Sequence, residues 1–441
     1  MKIIRRFAGM ILLVLVAGFI QPAFAVAQPD SRQAEQVMRT WYKLVLELVR
    51  HTPTYSPPVA SRSFAYLGVT GFEALATGND GLKSLAGQLN ALQPGPQREA
   101  GKVYDDALVV DAALSFAVQN FFSNTGPTGQ RALKAMQAKM RERAVSGLPD
   151  DVISRSEAHG RAVGEHILSW SKEDGGAVIE NMGFPLEYTL TEGPAHWVPT
   201  SLIAQQQLPL LPNWGKNRTF AMANGATCGL PAPLEYSEDK NSTFYKDAFE
   251  VYTAVKDLTP EHRVIARFWS DDPMLSPTPP GHWISIALQV LEHEKAGPEQ
   301  TADVLARLGV VLADSFIGCW DAKFRYDLVR PLTYIRRVID PKWEAILNTP
   351  PFPEYPSGHS TQSGAAADVL TKAFGDNFAF EDATHAADGL KPRPFPSFWA
   401  AAEEAGISRL YGGIHFRAAI ERGLDQGRCI AGYVNALKTR K

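Results

Sequence analysis

The chain has 441 residues, of which 45% are hydrophobic and 21% charged, and its formal net charge is −3. This is globular composition with room for a large core and one or two domains, which excludes a disordered or fibrous chain. It carries neither the basic excess of a nucleic-acid binder nor an acidic tail.

Lys2, Arg5 and Arg6 precede an apolar run from about Met10 to Ile20, and Ala23-Phe24-Ala25 and Ala25-Val26-Ala27 follow. A basic head, a short apolar stretch and a small-x-small exit predict a signal peptide over residues 1–25, cleaved after Ala25 or Ala27. The run is shorter than the roughly 20 residues a spanning helix needs. Export to the periplasm or the medium is therefore expected, with no stable membrane anchor after processing. The three cysteines, Cys228, Cys319 and Cys429, leave at least one unpaired. Cys319 and Cys429 lie in apolar helical stretches and read as buried thiols, although the sequence does not decide whether a pair forms.

Apolar positions recur every three or four residues over 31–51, 61–76, 97–122, 127–146 and 150–173, and alternation of the strand type is rare. Residues 26–175 are accordingly predicted to be a helical region. Residues 176–240 are rich in Gly, Pro and Asn with scattered aromatics, among them Tyr188, Trp197, Trp214 and Phe220. A stretch this long without periodicity suggests a segment laid over a site. Helical patterns resume over 243–257, 259–270, 281–295, 298–329, 359–375, 396–411 and 416–437, so residues 241–441 form a second helical region. The predicted class is all-α, with two helical bundles packed together.

The chemistry concentrates in this second region. Lys323 and Arg330 are seven residues apart, which on one continuous helix ending before Pro331 sets them on one face, with Trp320 beside them. A solvated basic edge has the same spacing, so the pair means little alone. Pro350, Pro351, Pro353 and Pro356 then lead into Ser357-Gly358-His359. Ser357 reads as an N-cap, Gly358 permits close approach, and the first N–H groups of the helix form an anion site with His359 at its mouth. Finally, Arg409 and His415 would point apart on one helix, but Gly412-Gly413 breaks it and returns the imidazole beside the guanidinium. Three fixed positive charges, a helix start and two histidines suit a tetrahedral oxyanion.

These blocks, Lys-x6-Arg-Pro (Lys323 to Pro331), Pro-Ser-Gly-His (Pro356 to His359) and Ser-Arg-x5-His (Ser408 to His415), resemble those shared by vanadium-dependent haloperoxidases and type 2 phosphatidic acid phosphatases. Phe268-Trp269-Ser270-Asp271-Asp272 and Pro279-Pro280-Gly281-His282-Trp283 extend the resemblance upstream. Trp320 and Phe352 resemble the aromatic residues on the halide side of the peroxidases. The resemblance implies an all-α bundle fold of that type and vanadate as cofactor. It also implies that His415 bonds the metal, that Lys323, Arg330, Ser357, Gly358 and Arg409 hold its oxygens, and that His359 is the acid/base. Lys323 would polarise the bound peroxide, and Asp272 would orient the motif arginine. The partners implied are hydrogen peroxide, halide and small organic acceptors. The alternative is an exported acid phosphatase working through a phosphohistidine. The phosphatase pattern places Asp four residues after the final His, where this chain has Ala419. Glu421, Asp425 or a backbone carbonyl would then have to orient His415. For His282 a place lining the site entrance and a structural one both stay open, and the remaining histidines, His385 among them, are expected to be structural or exposed.

Overall fold

The computed structural model describes residues 33–441, so the predicted signal peptide lies outside the described residues. The described part is all-α. Its helices are α1 (Ala34–Arg50), α2 (Pro57–Ala76), α3 (Asp106–Phe121), α4 (Pro127–Val145), α5 (Asp150–Ser171), α6 (Thr243–Lys256), α7 (Pro260–Phe268), α8 (Thr278–His293), α9 (Pro298–Tyr326), α10 (Pro331–Val338), α11 (Gly358–Phe374), α12 (Phe398–Tyr411) and α13 (Arg417–Asn435). One small antiparallel hairpin pairs β1 (Phe380–Asp382) with β2 (Arg393–Phe395). Among the described residues no helix is long and apolar enough to cross a membrane.

Several boundaries differ from the sequence expectation for identifiable reasons. Pro57 and Pro58 start α2 rather than break a helix, because proline fits the first turn, where N–H groups lack acceptors. The stretch from 97 to 105 is irregular, and α3 begins where Asp105 caps it by accepting from the Leu108 N–H. The helix predicted over 298–329 ends at Tyr326, with Asp327 in the left-handed region at φ 48°. Arg330 is extended and forms the N-cap position of α10. Lys323 and Arg330 therefore do not share one helix face; a left-handed turn brings them together.

The regions before and after the 176–240 segment share one continuous apolar core. One close seam is α2 against α9. A Cβ on Gly68 would meet the Leu305 carbonyl oxygen at 2.7 Å, and one on Gly309 would meet that of Phe64 at 2.6 Å. Glycine at both points lets the two backbones touch, which fixes α9 as the axis of the molecule.

Within 176–240 the described backbone has single helical turns of the tight type and one isolated antiparallel bridge, from His196 to Leu328. Side-chain acceptors and disulfide chemistry hold it in place instead. Buried Asp314 of α9 accepts the N–H groups of Phe220, Ala221 and Met222 at 2.7, 2.8 and 3.1 Å. The Leu210 N–H donates to the Pro351 carbonyl, and the Trp320 indole donates to the Leu210 carbonyl. Cys228 is disulfide-bonded to Cys429 in α13, with a Cα–Cα distance of 5.9 Å. Cys429 is thus not a free thiol; only Cys319 is, and it is buried.

Candidate active site

The two loops that deliver the motifs are built on helix ends. Ser357 caps α11 by accepting from the Ser360 N–H. Its own N–H donates to the Ala419 carbonyl of α13 at 3.0 Å. Gly423 permits this crossing, since a Cβ there would lie 2.9 Å from the Ser357 carbonyl oxygen. Gly358 and His359 are the first residues of α11, so their backbone N–H groups precede any intrahelical acceptor. The other loop follows α12, which ends at Tyr411. Gly413 turns at φ 77°, and the Ile414 N–H bonds back to the Arg409 carbonyl. The double-glycine break thus returns His415 towards Arg409.

His415 lies at the centre of the assembled site. Its Nδ1 is 2.8 Å from Oε1 of Glu354, and its Nε2 is 3.2 Å from Nη1 of Arg330. A guanidinium can only donate, so Nε2 is the bare nitrogen and Nδ1 carries the proton. Glu354 Oε1 also accepts the Phe416 N–H at 2.9 Å, which requires that oxygen to be an acceptor. The tautomer is therefore fixed from both sides. Burial, with Arg330 and Lys323 adding to it, holds the His415 imidazole well below its usual range, so it is neutral. Burial pushes Glu354 up to about 8, against the pull of Arg330 and Lys323.

Sequence reasoning missed Glu354. Glu421 and Asp425, named as possible substitutes for the absent Asp at Ala419, are exposed on α13. The available signal was the acidic residue inside the proline run before Ser357, the one charge among Pro351, Pro353 and Pro356.

Around His415 the cationic groups are all buried. Arg330 donates Nε to the Phe352 carbonyl and Nη1 to that of Ile414, and its Nη2 is left without a partner. Arg409 donates Nη1 to the Trp269 carbonyl at 2.6 Å, and its Nε is unpartnered. Burial lowers both guanidiniums to about 10, so they stay charged at neutral pH. His359, whose Nε2 is also buried and unpartnered, is held well below its usual range by burial and by Arg409. Lys323 differs from the sequence expectation. Its ammonium donates to the carbonyls of Pro353, Glu354 and Pro356 at 2.9, 3.0 and 2.5 Å. All three of its protons are used in shaping the loop before Ser357, although burial lowers it to about 7. Its charge still stands 5.2 Å from the Phe352 ring and 6.0 Å from that of Trp320, and the two rings pack at 4.9 Å.

Asp272 forms no ion pair with Arg409; it acts only through space, behind the larger contribution of Asp271. Asp271 is the buried carboxylate here, 3.9 Å from His359 Nε2. His282 is not at an entrance but fully buried, and His385 is buried as well.

The site fits an oxyanion. Arg330 Nη2 and Arg409 Nε are buried N–H donors without protein partners, and both guanidiniums act on the His415 imidazole. Buried donors rarely stay unpaired, and a tetrahedral or trigonal-bipyramidal oxyanion supplies the missing acceptors.

Comparison with known proteins agrees with this geometry. Residues 303–440 match the model of the VCPO second helical-bundle domain. A bacterial vanadium-dependent iodoperoxidase of known crystal structure is 37% identical, with a TM-score of 0.83 over 92% of this chain and 97% of that one. The holo-type bacterial vanadium-dependent chloroperoxidase shares the fold at 17% identity, with a TM-score of 0.67 over 87% of this chain and 92% of that one. Vanadium chloroperoxidase of Curvularia inaequalis is 24% identical over 276 residues, 47% of this chain, and the match spans 45% of that protein's length. The chain belongs to the vanadium-dependent haloperoxidase family.

Proposed function

We propose that the chain is a vanadate-dependent haloperoxidase, which uses hydrogen peroxide to oxidise halide to hypohalous acid for transfer to small organic acceptors. The observation that supports this best is the fixed tautomer of His415. Its unprotonated Nε2 meets the Arg330 guanidinium, and buried N–H donors of Arg330 and Arg409 are left without protein partners, a set suited to an oxyanion that would also take a nitrogen ligand.

Bound vanadate supplies a Lewis acid that activates peroxide while remaining V(V). The chain's own residues do the rest. His415 holds the anion through Nε2, and Glu354 holds His415. Arg330 Nη2, Arg409 Nε and the Gly358 N–H balance and orient its oxygens. Neutral His359 would take a proton from incoming peroxide at its bare Nε2 and return it to the displaced oxygen, which would leave as water. Lys323 keeps the loop before Ser357 in shape and places its charge beside Trp320 and Phe352, where halide approaches. Iodide, the easiest halide to oxidise and the one named for the iodoperoxidase relative, is the first substrate to test. The Cys228–Cys429 disulfide supports an oxidising, exported setting.

One observation favours the phosphatase alternative. Glu354 gives His415 the carboxylate partner that a nucleophilic histidine needs, so Ala419 no longer argues against it. The test is to assay vanadate-free protein for iodide and bromide oxidation with and without vanadate, alongside phosphomonoester hydrolysis. Vanadate-dependent halide oxidation with slow hydrolysis is expected. Brisk hydrolysis, a phosphohistidine trapped at His415 and no halide oxidation would overturn the assignment.

A further inference from the structure

Behind His359, three chain segments bring Asp271, His282 and His385 to one point. Asp271 follows α7 in the left-handed region at φ 49°, His282 lies in the first turns of α8, and His385 follows β1. Asp271 Oδ1 is 2.9 Å from His282 Nδ1 and 3.4 Å from His385 Nε2. One oxygen and two nitrogens, one from each residue, all lie within 4.8 Å of one another.

Each imidazole is gripped at its far nitrogen by a different carboxylate. His282 Nε2 is 2.8 Å from Asp382 Oδ2, and His385 Nδ1 is 3.2 Å from Asp388 Oδ2. Asp388 is in turn paired with Arg50 of α1. With a cation between them, the carboxylate behind each histidine would hold the far N–H and aim the near nitrogen, as the outer residues of metal sites do. The aim is held by packing. The His282 ring stacks on Trp269 at 4.4 Å and meets Phe268 edge-on at 5.5 Å. The loop bearing Asp382 and His385 is tied to α8 through the Ala383 N–H to Gln289 and through Thr384 to Ser285.

A second observation points to a missing ligand. The His385 side chain is only 7% exposed, and its Nε2 makes no well-aligned hydrogen bond, only an ion-pair contact with Asp271 Oδ1 at 3.4 Å.

We propose that Asp271, His282 and His385 form the inner ligand set of a second metal site, for a zinc-class divalent cation, with Asp382 and Asp388 as its outer carboxylates. Zinc takes two imidazole nitrogens and a carboxylate oxygen at about 2.0–2.2 Å, which sets ligand atoms about 3.3 Å apart in a tetrahedron. The 2.9 and 3.4 Å separations from Asp271 Oδ1 bracket that spacing. Three protein ligands would leave the fourth position of the tetrahedron to a water. A single divalent cation also replaces the two protons that would otherwise charge both imidazoles, so it leaves the net charge of this buried cluster unchanged. The oxyanion would be held by other groups, the N–H donors of Arg330 and Arg409 and the lone pair of His415 Nε2.

The test uses the full chain, stripped of vanadate and metals, titrated with zinc against a chromophoric competing chelator. One tightly held zinc per chain is expected. Asp382→Asn removes only an outer carboxylate and should weaken binding about 10–100-fold. His385→Ala should abolish the site, while His415→Ala should bind zinc as the parent does. Cobalt substitution of the unmutated protein adds a readout that does not depend on how the variants fold, since tetrahedral cobalt gives intense visible bands. Failure of the parent protein to retain zinc, or equal retention by His385→Ala in folded protein, would overturn the proposal and leave a hydrogen-bonded chain of charged histidines.

Discussion

Removing the carboxylate behind His415 tests the site most directly. In Glu354→Ala, the His415 Nδ1–H and the Phe416 N–H both lose their acceptor. The Phe416 loss is the same with and without vanadate and lowers stability alone. The Nδ1–H loss frees the imidazole to rotate or to change tautomer, either of which withdraws the Nε2 lone pair. A buried donor left unpaired costs about 1–3 kcal/mol, and loss of an outer residue at a metal site costs about 10–100-fold in affinity. The two estimates overlap, so vanadate affinity should fall by about 10–100-fold. Glu354→Gln keeps a carbonyl oxygen for both donors and should fall by less than about tenfold. Equilibrium titration with vanadate, on variants whose circular dichroism matches the parent, measures both. Parent-like affinity in Glu354→Ala, or equal losses in the two variants, would refute the orienting role.

Other outcomes follow from the same geometry. Arg409→Ala should weaken vanadate binding by about 2–5 kcal/mol, the cost of removing one member of a desolvated charge set, as measured by calorimetry. His359→Ala should keep vanadate affinity nearly unchanged while halide turnover falls about 10²–10⁴-fold, as measured by steady-state oxidation assays. Asp111, buried in α3 with the Trp41 indole donating to it at 2.8 Å, is pushed up to about 6 by burial. Its ionised form therefore costs stability that appears as pH rises from about 4 through 6. Asp111→Asn keeps the acceptor and removes that cost, so it should raise the melting temperature at pH 8, by up to about 3 kcal/mol of stability, and leave it unchanged at pH 4.

Helical class and the motif residues were legible because periodicity and glycine–proline punctuation are local. The break at Gly412-Gly413 could be read directly, and Ser357 could be read as a cap. The turn between Lys323 and Arg330 could not, because a left-handed Asp327 leaves no mark in a pattern that otherwise continues as helix. Glu354 was hidden for another reason. Its partner is 61 residues away, and a carboxylate buried beside Lys323 and Arg330 looks like any acidic residue in a loop. The pairing of Cys228 with Cys429 likewise depends on where a segment without periodicity lies across α13. His385 lacked motif context, and its closeness to His282 could not be read because Asp271, which joins them, lies more than 100 residues before it in the chain.

The cysteine arrangement bears on how such a protein survives its own product. Hypohalous acid attacks thiols faster than most other side chains, and it would reach the catalyst before any acceptor outside. Two of the three sulfurs are already joined to each other. The third, Cys319, lies fully buried under the start of α11, closed in by Phe316 and Trp320. No free thiol among the described residues faces the solvent into which the oxidant is released.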